Sequence, residues 1–186
     1  MTTRKTSAPG PRPPGAPGRG EAAMENVFTH ITKNGKLRMV DISAKRVTRR
    51  SSTATCVVHT NADLSTLSSP LDVDVQVASQ LAGIQAAKKT ADLIPLCHPL
   101  SLSDIDVSLV ERADHVEITA TVSANYRTGV EMEALSACAI AALNLLGSLK
   151  EVDPMAWMGG LCVMSKTGGK SGPWGRAVAA PSPDPR

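Results

Sequence analysis

Aromatic side chains are nearly missing from this chain. Its 186 residues hold two Trp, one Tyr and one Phe. A binder of single-stranded nucleic acid needs stacking platforms, so the shortage argues against that class. A core must instead be built from Ala, Val, Leu, Ile and Met. Charge of one sign is also lacking, since the net value is +3. That is too weak to imply nucleic acid, yet it suits a small anionic ligand if the charges converge. Paired cysteines are absent too. Cys56, Cys97, Cys138 and Cys162 are scattered without metal-ligand spacing and read as reduced thiols of a cytoplasmic protein. The one run long enough to cross a membrane, Val130–Leu146, contains Glu131, Glu133 and Asn144, so no membrane span is expected.

The length fits one domain with a real core. Residues 1–23 are rich in Pro, Gly, Arg and Lys and read as a disordered tail. They lack the apolar centre of a secretion signal. A transit peptide is the rival reading, and the prolines and glycines oppose its amphipathic helix. Residues 24–172 form the expected domain, and 173–186 a loose C-terminal tail. Asn34-Gly35 marks a turn. Lys45, Arg46, Arg49 and Arg50 form a basic run that is either a phosphate grip or a solvated face.

Thr53–Thr60 is β-branched and reads as a first strand. Asp72–Lys89 reads as a helix, with Val77, Leu81, Ile84 and Lys88 on one face and Ala82, Ala86 and Ala87 allowing close packing. Ser103–Glu111 alternates, as does Val116–Val122, and Arg112-Ala113-Asp114 joins them as a hairpin. Gly129–Lys150 is the longest helix. It is apolar nearly all round, which predicts burial on two sides, one of them a subunit interface. Leu161–Lys166 reads as the last strand. The order β-α-β-β-α-β predicts an α+β, ferredoxin-like antiparallel sheet with both helices on one face.

Three stretches carry chemistry. Leu93-Ile94-Pro95-Leu96-Cys97-His98-Pro99 presents a thiol and an imidazole on a loop stiffened by two prolines. Either His98 is a catalytic group, or it is a histidine bonded within the core. Arg127-Thr128-Gly129 precedes Glu131 and Glu133 at the start of the long helix, where Arg127 and the helix N-terminus favour an anion. The two acids stand two apart, so a regular helix sends them to different sides. Ser165–Gly172 is glycine-rich with Lys166 and Lys170. It lacks the spacing of a nucleotide-hydrolase loop, and it still offers two ammonium groups for a polyphosphate.

Met39-Val40-Asp41, Ala82–Thr90, Leu93–Pro99, Arg127–Leu135 and Lys166–Gly172 together resemble the cyclic pyranopterin monophosphate synthase family, in its order and spacing. The resemblance implies a ferredoxin-like enzyme of molybdenum cofactor biosynthesis. It would convert a small molecule, 3′,8-cyclo-7,8-dihydro-GTP, into cyclic pyranopterin monophosphate and release pyrophosphate. It implies a homohexamer, a trimer of dimers, with sites between subunits and no metal or organic cofactor. By position, His98, Lys150, Glu131 and Glu133 take catalytic roles. Cys97, Lys88, Arg127, Lys166 and Lys170 bind substrate.

The chain departs from the family's pattern twice. Asp72 stands where the family has a catalytic Lys, and Gly147 where it has an Asp. No Lys occurs between Ser51 and Ala87 to replace the first. Two other readings therefore stand beside the synthase: a paralogue acting on another cyclised nucleotide, and a non-catalytic ligand-binding or partner subunit.

Overall fold

A computed structural model describes residues 30–32, 34–62 and 73–177. The chain divides into two units, residues 1–38 and 39–186. In the first, Ile31 and Leu37 form a β-bridge around the expected Asn34-Gly35 turn. Gly35 has φ 74° and donates its N–H to the Thr32 carbonyl at 2.9 Å.

The second unit holds strands β1 (Thr48–His59), β2 (Asp104–Glu111), β3 (His115–Tyr126), β4 (Trp157–Thr167) and β5 (Trp174–Gly175). Its helices are α1 (Val73–Lys88), α2 (Thr90–Leu93) and α3 (Glu131–Leu149). The strands form one antiparallel sheet in the order β2-β3-β1-β4-β5. The expected α+β sheet with its helices packed against it is present. Ala54, Cys56 and Val58 of β1 and Val116, Ile118, Ala120 and Val122 of β3 are buried, as period-two alternation requires. Against them lies the buried stripe of α3: Ala134, Ala137, Cys138, Ala141, Ala142, Leu145 and Leu149. α3 is long and apolar enough to span a bilayer, but it serves as the core helix of the sheet.

Several expectations need correction. β1 starts at Thr48, so Arg49 and Arg50 lie on a strand. The segment Thr90–Pro99 opens with the one-turn helix α2. The tail after Gly172 begins with β5, which adds an edge strand beside β4. On α1 Ala86 and Ala87 pack closely as expected, together with Ser79 and Gly83, and Ile84 packs against the core, but Val77 and Leu81 are exposed. On α3 only one stripe is covered in the protomer, and Met132 and Leu143 are exposed. Asp72 lies outside the described residues.

Small residues let α1 and α3 touch closely. A Cβ placed on Gly83 would sit 2.9 Å from the Ala137 carbonyl oxygen and 3.3 Å from both Ala141 Cβ and Val107 Cγ1. Asn144 also donates to Ser79 Oγ at 3.1 Å across the same seam. This packing fixes the end of α1, and with it the Thr90–Pro99 segment, against α3.

Gly83→Ala tests that seam. On an open helix surface the change would gain about 1 kcal/mol from helix propensity. Here the methyl meets backbone and must push the helices apart, which costs about 1–3 kcal/mol. Net destabilisation is expected, as a lower urea midpoint at unchanged slope. A higher midpoint would show that the seam has slack.

Candidate active site

All the functional candidates but Lys150 gather at one end of the sheet, around the first turn of α3. Val130 is the N-cap, with a non-helical backbone (φ −118°, ψ 24°). The Glu131 carboxylate folds back over Gly129 so closely that a Cβ there would overlap it. It thereby meets Lys166 of β4, whose Nζ donates to Glu131 Oε1 at 2.9 Å. Lys166 pairs in register with Ser52, whose side chain is buried on the helix face of β1. Its ammonium is therefore aimed up at α3.

Glu133 goes elsewhere, as its two-residue offset requires. It is 4% exposed and lines a small cavity of about 80 Å³ with Lys88, Asp92 and His98 among others. Burial pushes its carboxyl up from 4.5 to about 7, opposed by its own backbone N–H and reinforced by the charge of Glu131. The Cys97 thiol is raised by burial and then by the Glu133 charge, which puts it in the same neighbourhood. A carboxyl that titrates near neutrality beside an imidazole can take or give a proton.

Before the start of α3, a cleft of about 870 Å³ is lined by Lys45, Arg46, Arg50, Arg127 and Lys170, with Thr48, Thr128, Gly169 and Ser171. Five cations converge here, and three members of the basic run, Lys45, Arg46 and Arg50, form one wall of the cleft, while Arg49 is not part of its lining. Arg127 donates from Nη1 to the Ser43 carbonyl at 2.7 Å and so ties down the segment that carries Lys45. Ser43 is itself turned by two bonds to Asp41 Oδ1, from its N–H at 2.9 Å and its hydroxyl at 2.7 Å. Gly168 and Gly169 take φ 88° and 79°, a region L side chains rarely adopt. Any Cβ on Gly169 would overlap the Arg50 guanidinium, which approaches this turn closely. Arg50 Nε is buried and finds no acceptor among the described residues. An anion oxygen is the partner such a donor lacks.

Of the nine residues expected from sequence, Glu131 and Lys166 are joined directly. Glu133, His98 and Lys88 share the small cavity, Cys97 lies near Glu133, and Arg127 and Lys170 line the cleft. Lys150 is apart. It caps the C-terminus of α3, about 28 Å from Glu131 along the helix axis. Among the described residues no group of three or more His, Cys, Asp or Glu converges to hold a metal.

Comparison with known proteins extends this picture. Residues 39–169 match the MoaC family. The cyclic pyranopterin monophosphate synthase of Streptomyces griseus is 45% identical over 91% of this chain and 98% of its own length. That of Corynebacterium glutamicum is 46% identical over 79% and 96%. Cyclic pyranopterin monophosphate synthase 2 of Mycobacterium tuberculosis is 43% identical over 80% and 91%.

Glu133 gives a pH test that needs no substrate. The unfolded chain ionises this carboxyl near 4.5 and the folded chain near 7. Below 4.5 both states hold the proton and the residue costs nothing. Between the two values stability falls as pH rises, and above 7 the loss is complete. Glu133→Gln is therefore expected to match the parent in acid and to gain stability over it above neutrality. A difference that is flat with pH, measured by denaturant titration across that range, would contradict the assignment.

Proposed function

This chain belongs to the MoaC family, and we propose on that premise that it converts 3′,8-cyclo-7,8-dihydro-GTP into cyclic pyranopterin monophosphate with loss of pyrophosphate, as a cytoplasmic enzyme of molybdenum cofactor biosynthesis. The observation that carries this reading is the pairing of a five-cation cleft with two acids of one helix turn, one ion-paired to Lys166 and the other buried with its carboxyl raised to about 7. A cyclised nucleoside triphosphate has the same two halves: a polyphosphate and a ring that must be rearranged.

The division of labour follows from the chemistry. Arg50, Lys45, Arg46 and Lys170 neutralise the polyphosphate and stabilise the charge that grows on departing pyrophosphate. Arg127 shares that wall and holds the Lys45 segment. Glu133, titrating near neutrality, exchanges protons with the rearranging ring, with His98 and Cys97 beside it. Lys166, oriented by its 2.9 Å pair with Glu131, stands between the halves as acid or electrostatic anchor. Glu131→Ala and His98→Ala should each cut turnover by about 10²–10⁴ while leaving the fold intact. Turnover is read as pyrophosphate and pterin release from the cyclised GTP, and an unchanged rate removes that residue from the site.

Lys150 enters the proposal from a second copy. One protomer holds it about 28 Å from Glu131, so a site with both needs two chains. The exposed Val77, Leu81 and Leu143 supply apolar surface for such contacts, in keeping with a trimer of dimers. Mixing an inactive Lys150→Ala protein with an inactive Glu131→Ala protein should restore part of the activity, because some mixed sites keep both side chains. Mixtures that stay inactive after subunit exchange would place both groups on one chain.

One feature favours a slower enzyme or a paralogue for another cyclised nucleotide. Gly147 gives the last turn of α3 no acid where the family pattern has one, and Asp72 reverses the charge of a family Lys. A Cβ on Gly147 meets nothing within 4 Å, so an Asp fits there without a packing cost. Asp72→Lys combined with Gly147→Asp should raise the synthase rate at least tenfold. No gain would favour the paralogue.

A further inference from the structure

We propose that Trp174 is the stacking surface for the guanine-derived ring of the substrate, and so a specificity-determining residue of this site. The proposal rests on the function inferred above and adds the ring-binding element which that reading leaves unassigned.

Register fixes where the indole stands. β5 pairs with β4 so that Trp174 lies opposite Lys166, and Lys166 in turn lies opposite Ser52. Directly paired residues project to the same sheet face. Ser52 is buried beneath the helices and Lys166 reaches Glu131 at the start of α3. Trp174 therefore belongs to the same row and the same face, one strand spacing of about 4.8 Å beyond Lys166. It follows Ser171, a residue of the cation-lined cleft, by three positions.

The indole is both held and available. Arg176 donates its backbone N–H to the Met164 carbonyl at 2.7 Å and its Nε to the Val163 carbonyl at 3.1 Å. Those bonds clamp β5 to β4 and bring the Arg176 guanidinium to 5.8 Å from the Trp174 ring centroid. The residue still keeps 44% of its surface exposed. The other described aromatics do not serve. Trp157 stacks on His59 at 4.1 Å at the opposite end of the sheet, and Tyr126 packs against the core. In a chain with so few aromatics, an exposed indole beside the Glu131–Lys166 pair is unusual, and a flat heterocycle whose phosphates lie in the cleft is its natural partner.

The test uses two probes with the same charged part: GTP, which has the ring, and inorganic tripolyphosphate, which does not. Binding is measured calorimetrically on the full chain, its Trp174→Ala variant and its Trp174→Phe variant. Trp174→Ala should weaken GTP by about 5- to 150-fold and change tripolyphosphate less than twofold. Trp174→Phe should recover most of the loss. Equal GTP affinity in Trp174→Ala overturns the proposal, and so does an equal weakening of both probes, which would make Trp174 a support of the cleft. If Trp174→Ala does not fold, a Trp157→Phe variant leaves Trp174 as the sole tryptophan. Its fluorescence should then be quenched by GTP and not by tripolyphosphate, and an unresponsive signal overturns the proposal. A parent chain that binds neither probe removes the proposed function itself. One that binds tripolyphosphate with no contribution from Trp174 removes only the stacking role.

Discussion

An ammonium group on β4 and a carboxylate in the first turn of α3, 2.9 Å apart, hold the working end of this molecule in shape. Both are about one-third exposed, so the pair adds little to overall stability. Its importance is geometric. It aims Lys166 away from the sheet, draws Glu131 back over Gly129, and leaves the rest of the turn to face inward. The glycine is part of the same device, because any side chain at position 129 would occupy the volume of the Glu131 carboxylate. The cleft and the small cavity then lie on either side of one helix start, served by residues from β1, the Thr90–Pro99 segment, α3 and the turn after β4.

Two acids two residues apart meet different surroundings, and for Glu133 magnitudes decide the charge. A helix N-terminus favours a carboxylate by roughly 0.3–1 kcal/mol. For Glu133 the rise from 4.5 to about 7 corresponds to roughly 3 kcal/mol in favour of the neutral form. Burial wins over the helix dipole. Asp153 shows that burial alone does not have this outcome. It is 6% exposed, yet it accepts bonds from Asn61 N, Thr60 Oγ1 and Met155 N at 2.6, 2.8 and 2.9 Å, and these hold its carboxyl below the usual range. The structural acid is satisfied by neighbours. The acid at the candidate site is left to bind a proton.

The sheet was legible in the chain because its strands alternate cleanly. Cys56, Val58, Ile118 and Val122 take the buried positions that a period of two demands. β1 was harder at its start, since Arg49-Arg50-Ser51-Ser52 is polar and lacks the β-branched residues that mark Thr53–Thr60. Once the strand begins at Thr48, parity puts Arg50 on the helix face with Ser52, and its role as a cleft wall follows. α1 misled for a different reason. Its large apolar residues Val77 and Leu81 are exposed, while the close packing read for Ala86 and Ala87 is present and is joined by Gly83, whose signal in any hydrophobicity pattern is slight. β5 left almost no trace, being two residues between Pro173 and Arg176 that exist as a strand only through bonds to β4. The family resemblance named nine candidate residues, and all but Lys150 lie along the cleft, the small cavity or the Glu131–Lys166 pair. Their partition was not legible, because spacing along the chain cannot tell which wall of a helix turn a side chain serves.

α3 acts as a ruler in this design. Its N-terminus carries the acids and its C-terminus carries Lys150, with 19 helical residues between. The seam with α1 and the stripe on the sheet hold it straight, so neither end can swing toward the other without breaking the core. A reaction that uses both ends must therefore use two copies of the helix. With Lys150 taking the role proposed for it, an isolated chain would be incomplete, and the site would form only on assembly. The exposed apolar positions on α1 and α3 lie on the two elements whose placement such an assembly would have to fix. On this reading, the same all-round apolar character that marks α3 in the sequence serves two needs, a core within the protomer and a surface that a second protomer can cover.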